Sequence, residues 1–473
     1  MAATATNLHS DPSAVDHAAI VAVPARLREA FRSGRTRPLE WRLDQLKAIR
    51  TLLRDNRSAL QAALAKDLGK PAFEALGADI GMPLGEAAVA IRKLRSWTRP
   101  QRVGQPLAMR PGRSWVQYDP LGVVLIIAPW NYPVQLCFNP LVAAVAAGNC
   151  AVIKPSELTP ATSSLIAELV PKYLDTDCIA VVEGAVEETS VLLEQRFDHI
   201  LYTGNGRVAR IVMEAAARNL TPVLLELGGK SPCIVMPDAD LDVAARRIAW
   251  GKWSNAGQTC TAPDYVLVHH DVRDALVARL TSTITEFYGA DPQKSPDYPR
   301  IINERHVDRL AGLLQGGVTV AAGGRYDRSE RYFAPTVLTG VTPSSPVMQD
   351  EIFGPVLPVM TVGSLDEAIA YVNDHDKPLA LYVFTKDSKA SDRVLAETSS
   401  GGACVNATLL HGANHNLPFG GVGPSGMGAY HGHWGFEALS HRKAVTERPT
   451  RSDPKVAYPP YSRLKEWLVR TFA

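Results

Sequence analysis

The sequence predicts an α/β protein made of two doubly wound, Rossmann-type domains and a small β excursion, and three observations carry that expectation. At 473 residues the chain exceeds what one hydrophobic core normally organises, so two large domains are expected. Short, nearly continuous apolar runs alternate with segments of helical spacing, and this alternation occurs in two successive blocks. The composition, 46% hydrophobic and 21% charged with a formal net charge of +2, is that of an ordinary globular protein. No run of like charges points to a nucleic acid or an acidic partner, and no window approaches the ~18 apolar residues of a membrane span.

Residues 1–18 are small and polar and are expected to fray. From Trp41 to Leu68 the apolar positions Leu43, Leu46, Ile49 and Leu53, then Leu60, Leu64 and Leu68, recur at three and four, which predicts long amphipathic helices. After Trp97 the stretch TRPQRVGQPLAMRPGRSWVQYDP (98–120) breaks that period with prolines and reads as an excursion, an extended strand pair. The period then changes. GVVLIIA (122–128), CAVIK (150–154), CIAVVEG (178–184) and HILYT (199–203) are short β-branched runs separated by helical stretches such as SSLIAELVPKYL. Strands apolar on both faces that alternate with helices predict a parallel sheet covered on both sides. From about Ser231 a second alternation, PCIVM, YVLVHH, PVLPVM, LALYVFT and GGACVNA with helices such as LDEAIAYVN between them, predicts a second α/β domain. No internal repeat or low-complexity tract is present.

The six cysteines, Cys137, Cys150, Cys178, Cys233, Cys260 and Cys404, form no C-x-x-C or His/Cys cluster, so neither zinc nor a disulfide framework is expected. The N-terminal stretch lacks the basic start and apolar run of a secretory leader, and a cytoplasmic location is expected.

Two segments carry chemistry. In HILYTGNGRVARIVMEAAA a strand leads through Gly204-x-Gly206-x-x-Ala209 into a helix, the dinucleotide fingerprint in its G-x-G-x-x-A form. Its glycines let the backbone approach a pyrophosphate at a helix N-terminus. The fingerprint also expects a ribose-binding acid about 20 positions on, where Glu226 stands. Glu157 of VIKPSE, three residues after Lys154 at the end of an earlier strand, competes for that role. In WSNAGQTCTAPDY (253–265), Cys260 lies on what reads as a loop, unlike a structural cysteine inside an apolar run.

PLGVVLIIAPWNYP (120–133), VIKPSE (152–157), ELGGKSP (226–232), GQTC (257–260), EIFGP (351–355) and LPFGGVGPSGMG (417–428) occur in the order seen in the NAD(P)-dependent aldehyde dehydrogenase superfamily. Together they cover the chain from about residue 20 to 445. GQTCTAPDY, PFGGVGPSGMG followed by YHG, and the YPPYS tail resemble most closely its class 3 branch, which handles fatty and aromatic aldehydes and is commonly dimeric.

The resemblance implies an oxidation of an aldehyde to its acid with NAD, or with NADP in its place, and no metal. Cys260 is then the nucleophile, forming a thiohemiacetal from which hydride can leave. Asn131, between the prolines of PWNYP, and the Cys260 N–H stabilise the oxyanion, and one such donor is worth about 3–4 kcal/mol. Glu226 becomes the base that activates water on the thioester, which leaves the adenine ribose to Lys154 and Glu157. Gly204, Asn205 and Val208 take the pyrophosphate region, Glu351 and Phe353 the nicotinamide ribose and ring, and Trp130 and Gly228 join the cofactor residues. Trp130 and Tyr132 line the aldehyde entrance or pack as aromatic core. Two features depart from the class 3 pattern: GNGRVA stands where relatives show G-N-T-x-V-G, and the tail YSRLKEWLVRTFA is idiosyncratic. Tyr461, Leu464, Trp467, Leu468 and Phe472 make one apolar face of that tail, which is expected to dock on the protein in preference to interfacial membrane contact or a lid over the substrate tunnel.

The implied domains are 19–97 with 121–228 for the cofactor, 229–428 for catalysis, 98–120 with 429–448 as an oligomerisation element supporting a homodimer, and 449–473 as the tail. Three rival functions remain open: an acylating relative that passes the thioester to coenzyme A, a cysteine hydrolase that needs no nicotinamide, and a non-catalytic nucleotide-binding scaffold.

Overall fold

The computed structural model describes residues 17–451, 453 and 455–472. Of the start expected to fray, residues 17 and 18 begin the helix His17–Arg32, and residues 1–16 lie outside the described residues.

The first large sheet has the order Gly426–Met427, Val223–Glu226, His199–Thr203, Val123–Ile127, Cys150–Lys154, Ile179–Val181. Its strands are parallel except Gly426–Met427, which pairs antiparallel with Val223–Glu226. Val123–Ile127 is buried along its whole length, as the unbroken β-branched run requires of a strand covered on both faces. The helix Pro133–Ala147 covers one face; its first residue is a proline, whose fixed φ suits that position, and it ends at Gly148, φ 89°. A side chain at 148 would collide with the guanidinium of Arg42, which donates to the carbonyls of Thr36, Arg37 and Ala146 and so satisfies that helix end. The amphipathic pair expected over 41–68 is present as Leu39–Asp55 and Arg57–Leu68, and Leu46, Ile49, Leu53, Leu60 and Leu64 are all fully buried.

The second large sheet runs Thr319–Ala322, Thr336–Thr339, Val356–Val362, Tyr265–His269, Pro232–Val235, Ala380–Phe384, Gly402–Val405, parallel throughout apart from the antiparallel edge Thr319–Ala322. Its own core gathers Trp253, Tyr265, Leu267, Phe333, Leu357 and Tyr382.

Residues 98–120 do form an extended pair, Gln101–Val103 against Arg113–Pro120, and Ser440–Glu447 joins as a third antiparallel strand matched to all of 113–120. The chain between the second sheet and this arm returns to the first sheet. Gly426–Met427 extends that sheet beside Glu226, and the helix Gly432–Ala438 inserts Phe436 into the core beneath it.

The tail corrects an expectation. Residues Arg463–Phe472 are helical and strongly amphipathic, but Tyr461, Leu464 and Trp467 are 77%, 66% and 59% exposed, so their apolar face is not docked on the chain. The segment 448–451 leading toward it is exposed, and the ties of Lys465 are local, to the carbonyls of Tyr458 and Pro460. A helix held by such short-range contacts contributes little to the global fold. Deleting residues 449–473 is therefore expected to leave the thermal midpoint unchanged, and a fall of several degrees in differential scanning fluorimetry would show a docked state.

Candidate active site

Cys260 is positioned by an unusual exit from a helix. Leu241–Trp253 begins with Asp240, whose side chain accepts from Val243 N–H, and ends in the turn Ser254–Gly257. Asn255, Ala256 and Gly257 have φ of 52°, 51° and 73°, a left-handed run that costs of order 1 kcal/mol or more at each non-glycine residue. Surrounding bonds hold it. Asn255 N–H donates to Glu74 Oε2 at 3.0 Å, and Gln258 Nε2 donates to the carbonyls of Asn255 and Arg300 at 3.0 Å each. Gln258 Oε1 accepts from Ile302 N–H at 2.9 Å. At 257 only glycine fits, because a Cβ would stand 2.2 Å from Gly354 O. This clamp turns Cys260 out of the core: it is half-buried, as Cys404 is, whereas Cys137, Cys150, Cys178 and Cys233 are buried.

Asn131 arrives from the other sheet. It follows the strand Val123–Ile127, is almost wholly buried, and its Nδ2 donates to Gln258 O at 3.1 Å. One amide N–H is thus committed two residues before Cys260, and the carboxamide has a second to give. Tyr132, half-buried, shares a 2.7 Å hydrogen bond with Thr259, so it braces the loop from one residue before the cysteine.

Glu226 ends the strand Val223–Glu226, between His199–Thr203 and Gly426–Met427. It is buried, and among the described residues neither carboxylate oxygen has a hydrogen-bond partner. Burial alone therefore raises its carboxyl well above the usual range. Glu351 is raised to about 8, chiefly by burial and then by Asp264, against the opposing Gly229 N–H, Lys230 and Lys252. Its Oε2 would lie 1.8 Å from a Cβ at 228, so Gly228 is the floor on which Glu351 rests. Burial, followed by the Glu351 and Glu226 carboxylates, pushes the Cys260 thiol up, and the N–H groups of Cys260 and Thr261 offset only part of this.

The cofactor residues expected from the sequence stand along one sheet edge. The strand order changes direction between Val123–Ile127 and His199–Thr203, and in doubly wound folds a nucleotide lies at the carboxyl ends there. Trp130 follows the first of these strands and Gly204 the second. Asn205 caps the helix Gly206–Ala217 by accepting from Val208 N–H, and Gly204 leaves the space that a Cβ would contest with Tyr202 Oη at 2.2 Å. Lys154, buried at the end of the next strand, reaches within 3.6 Å of the half-exposed Glu157. Phe353, φ 44°, meets Trp130 edge-on at 5.3 Å between ring centroids. The helix cap, the open glycine turn, the Lys154–Glu157 pair, and Thr203 Oγ1 and Glu351 Oε1, which have no hydrogen-bond partner among the described residues, fit a nicotinamide dinucleotide.

The structure thus gathers Cys260, Asn131, Glu226 and Glu351 at one point, with Trp130, Phe353 and Gly228 beside it and Gly204, Asn205, Val208, Lys154 and Glu157 on the neighbouring strand ends. Sequence reasoning missed three groups. Gln258 and Asn255 form the clamp, signalled only by two amide side chains flanking a glycine. Lys252, fully buried and eight residues before the cysteine, has no hydrogen-bond partner for Nζ among the described residues and is pushed down to about 8 by burial. Tyr430 is buried, its hydroxyl has no partner among the described residues, and it feels the charges of Glu226 and Cys260.

Because the thiol is raised, its thiolate fraction at pH 7 lies below that of a free cysteine, and alkylation climbs about tenfold per pH unit below the pKa. Iodoacetamide labelling of Cys260 in the cofactor-free protein should still be accelerating at about pH 9.5, above the ordinary cysteine pKa. A plateau below about pH 8 would mean that the thiol is instead stabilised as thiolate.

Comparison with known proteins agrees with this geometry. Residues 3–445 match the model of the aldehyde dehydrogenase family. The chain is 51% identical over 442 residues to aldehyde dehydrogenase family 3 member A2 of Mus musculus, covering 93% of this chain and 91% of the relative. It is 48% identical over 437 residues to the dimeric NADP-preferring aldehyde dehydrogenase of Rattus norvegicus, covering 92% and 96%. The structure of the substrate-bound state of Staphylococcus aureus AldH superposes with a TM-score of 0.92 at 45% identity, covering 95% of this chain and 98% of that one. The chain belongs to the aldehyde dehydrogenase family.

Proposed function

We propose that the protein oxidises medium- or long-chain aliphatic or aromatic aldehydes to carboxylic acids through a covalent intermediate on Cys260. One observation carries this reading: a half-buried thiol lies where a carboxamide, Asn131, and two unsolvated carboxyls, Glu226 and Glu351, converge from different segments. As an aldehyde dehydrogenase the enzyme depends on NAD or NADP.

Sγ of Cys260 adds to the carbonyl carbon as its proton passes to the Glu226 carboxylate, which releases it to solvent before the thioester is cleaved. The oxygen then carries charge and accepts hydrogen bonds donated by the free amide N–H of Asn131 and the Cys260 N–H. Burial of both groups strengthens these bonds, because little water competes with them. Glu351 and Phe353 would hold the nicotinamide end of the cofactor, which would supply the acceptor for hydride from the tetrahedral carbon. Glu226 removes a proton from the water that cleaves the resulting thioester, and a carboxyl raised by burial is the stronger base for that task.

The residues at the cofactor side favour NAD. Glu157 would repel a 2′-phosphate, while Lys154 moderates the repulsion and leaves NADP usable. The name of the rat relative and the open outer strand Gln101–Val103, exposed at all of its residues, support a homodimer built on the three-stranded arm. A cytoplasmic location fits that reading, and no described helix is long and apolar enough to cross a membrane.

A steady-state screen of C2 to C16 and aromatic aldehydes with each cofactor tests the substrate class. The expected outcome is a kcat/KM that increases with apolar size; a preference for acetaldehyde or for charged aldehydes would overturn it. Glu226→Gln is expected to keep a pre-steady-state burst of reduced cofactor while slowing deacylation by about 10²- to 10⁴-fold. An unchanged steady-state rate would remove Glu226 from the base role.

A further inference from the structure

The loop that carries Asn131 is held from beneath by a buried ion pair. Lys70 Nζ donates to Asp79 Oδ2 at 2.5 Å and to the main-chain carbonyl of Asn131 at 2.9 Å, and both charged side chains are completely buried. The same ammonium lies 4.1 Å from the centroid of the Tyr132 ring. Asp79 Oδ1 accepts the N–H of Val134 at 3.3 Å. The helix Pro133–Ala147 lacks a side-chain cap from Tyr132, so this carboxylate, delivered from another segment, serves its first turn and favours its positive end. Asp79 itself lies in a π-helical turn, Ala75–Ile80, inserted between two α-helical pieces, a local rearrangement that recurs at functional sites. The Asn131 carbonyl accepts a second bond, from Asn255 Nδ2 at 2.9 Å, and Asn255 Nδ2 also donates to Gln258 O at 3.0 Å.

Stability gives no reason for this arrangement. A fully buried lysine and aspartate lose hydration that their attraction at best recovers, and an apolar pair of similar volume is often as stable. What an apolar pair could not do is grip the carbonyl of Asn131 and the helix start three residues on, fixing the peptide plane that follows Asn131 and the one that opens the helix. Asn131 has one amide N–H committed to Gln258 O, so the direction of the other is set by its backbone and that one bond.

We propose that Lys70 and Asp79 are positioning residues for the oxyanion site: the pair fixes the backbone of Asn131 so that its uncommitted amide N–H faces the carbonyl oxygen of an aldehyde bound to Cys260. The inference rests on the reading of Asn131 as an oxyanion donor.

The test is a double-mutant cycle on single-turnover formation of reduced cofactor, using Lys70→Met, Asn131→Ala and the double variant, with a medium-chain aldehyde and saturating NAD⁺. Lys70→Met is expected to slow this step by about 10- to 100-fold, the range for a small misplacement of a catalytic group, with the Kd for NAD⁺ unchanged. On the Asn131→Ala background the same change is expected to cost less than about twofold, because its effect passes through Asn131. Iodoacetamide alkylation of Cys260, a displacement that forms no oxyanion, is expected to proceed at the same rate in Lys70→Met and the parent, which a general loosening of the site would not allow. Asp79→Asn, which keeps the volume but removes the charge and one of the two acceptor oxygens, replaces Lys70→Met in the cycle if that variant does not fold. Additive costs in the cycle, or alkylation altered in parallel with oxidation, would overturn the proposal. If Asn131→Ala alone leaves the step unchanged, the oxyanion role of Asn131 fails instead.

Discussion

A hydrogen bond of 3.1 Å from the Asn131 carboxamide to the Gln258 carbonyl joins the two halves of the site, and the chemistry depends on it. Asn131, the proposed oxyanion donor, follows a strand of the first sheet, whereas Cys260, the proposed nucleophile, follows a helix that covers the second. Neither sheet alone contains the site. The left-handed run at Asn255–Gly257, the glycine that lets Gly354 approach, the amide clamp of Gln258 and the Tyr132–Thr259 bond all act on this one seam. The folding free energy of both cores is what holds these strained residues in place.

The same seam sets the electrostatics. Cys260, Glu226 and Glu351 are raised mainly by burial, and the carboxylates further disfavour the thiolate. Lys252, a buried amine with no hydrogen-bond partner among the described residues, and Lys230, bonded to Asp264 at 2.5 Å, oppose the rise at Glu351.

The large sheets were legible in the sequence because their strands are covered on both faces, which makes runs such as GVVLIIA and LALYVFT apolar without interruption. Cys260 was legible for the opposite reason, a thiol in a segment lacking any period. Elements whose identity comes from tertiary contact were not legible. Thr319–Ala322 is a largely exposed edge strand with a weak pattern, and Gly426–Met427 is a strand only because the chain returns to pair beside Glu226. Lys70 and Asp79, nine positions apart, carry no sequence signal that links them; their pairing is a tertiary contact, with Asp79 in a π-helical turn. The amphipathic tail shows the converse, since an apolar stripe forms a helix without providing a surface for it to meet, and docking on the body of the chain did not follow from it.

The central claim is that an acyl group derived from the aldehyde becomes attached to one sulfur. Mixing Glu226→Gln with a medium-chain aldehyde and NAD⁺, quenching in acid during the burst and mapping peptides by mass spectrometry tests it directly. The account predicts an acyl mass on the peptide containing Cys260, formed in step with reduced cofactor and absent without NAD⁺. An adduct on Cys404 or any other residue, or reduced cofactor formed with no adduct at all, would contradict it.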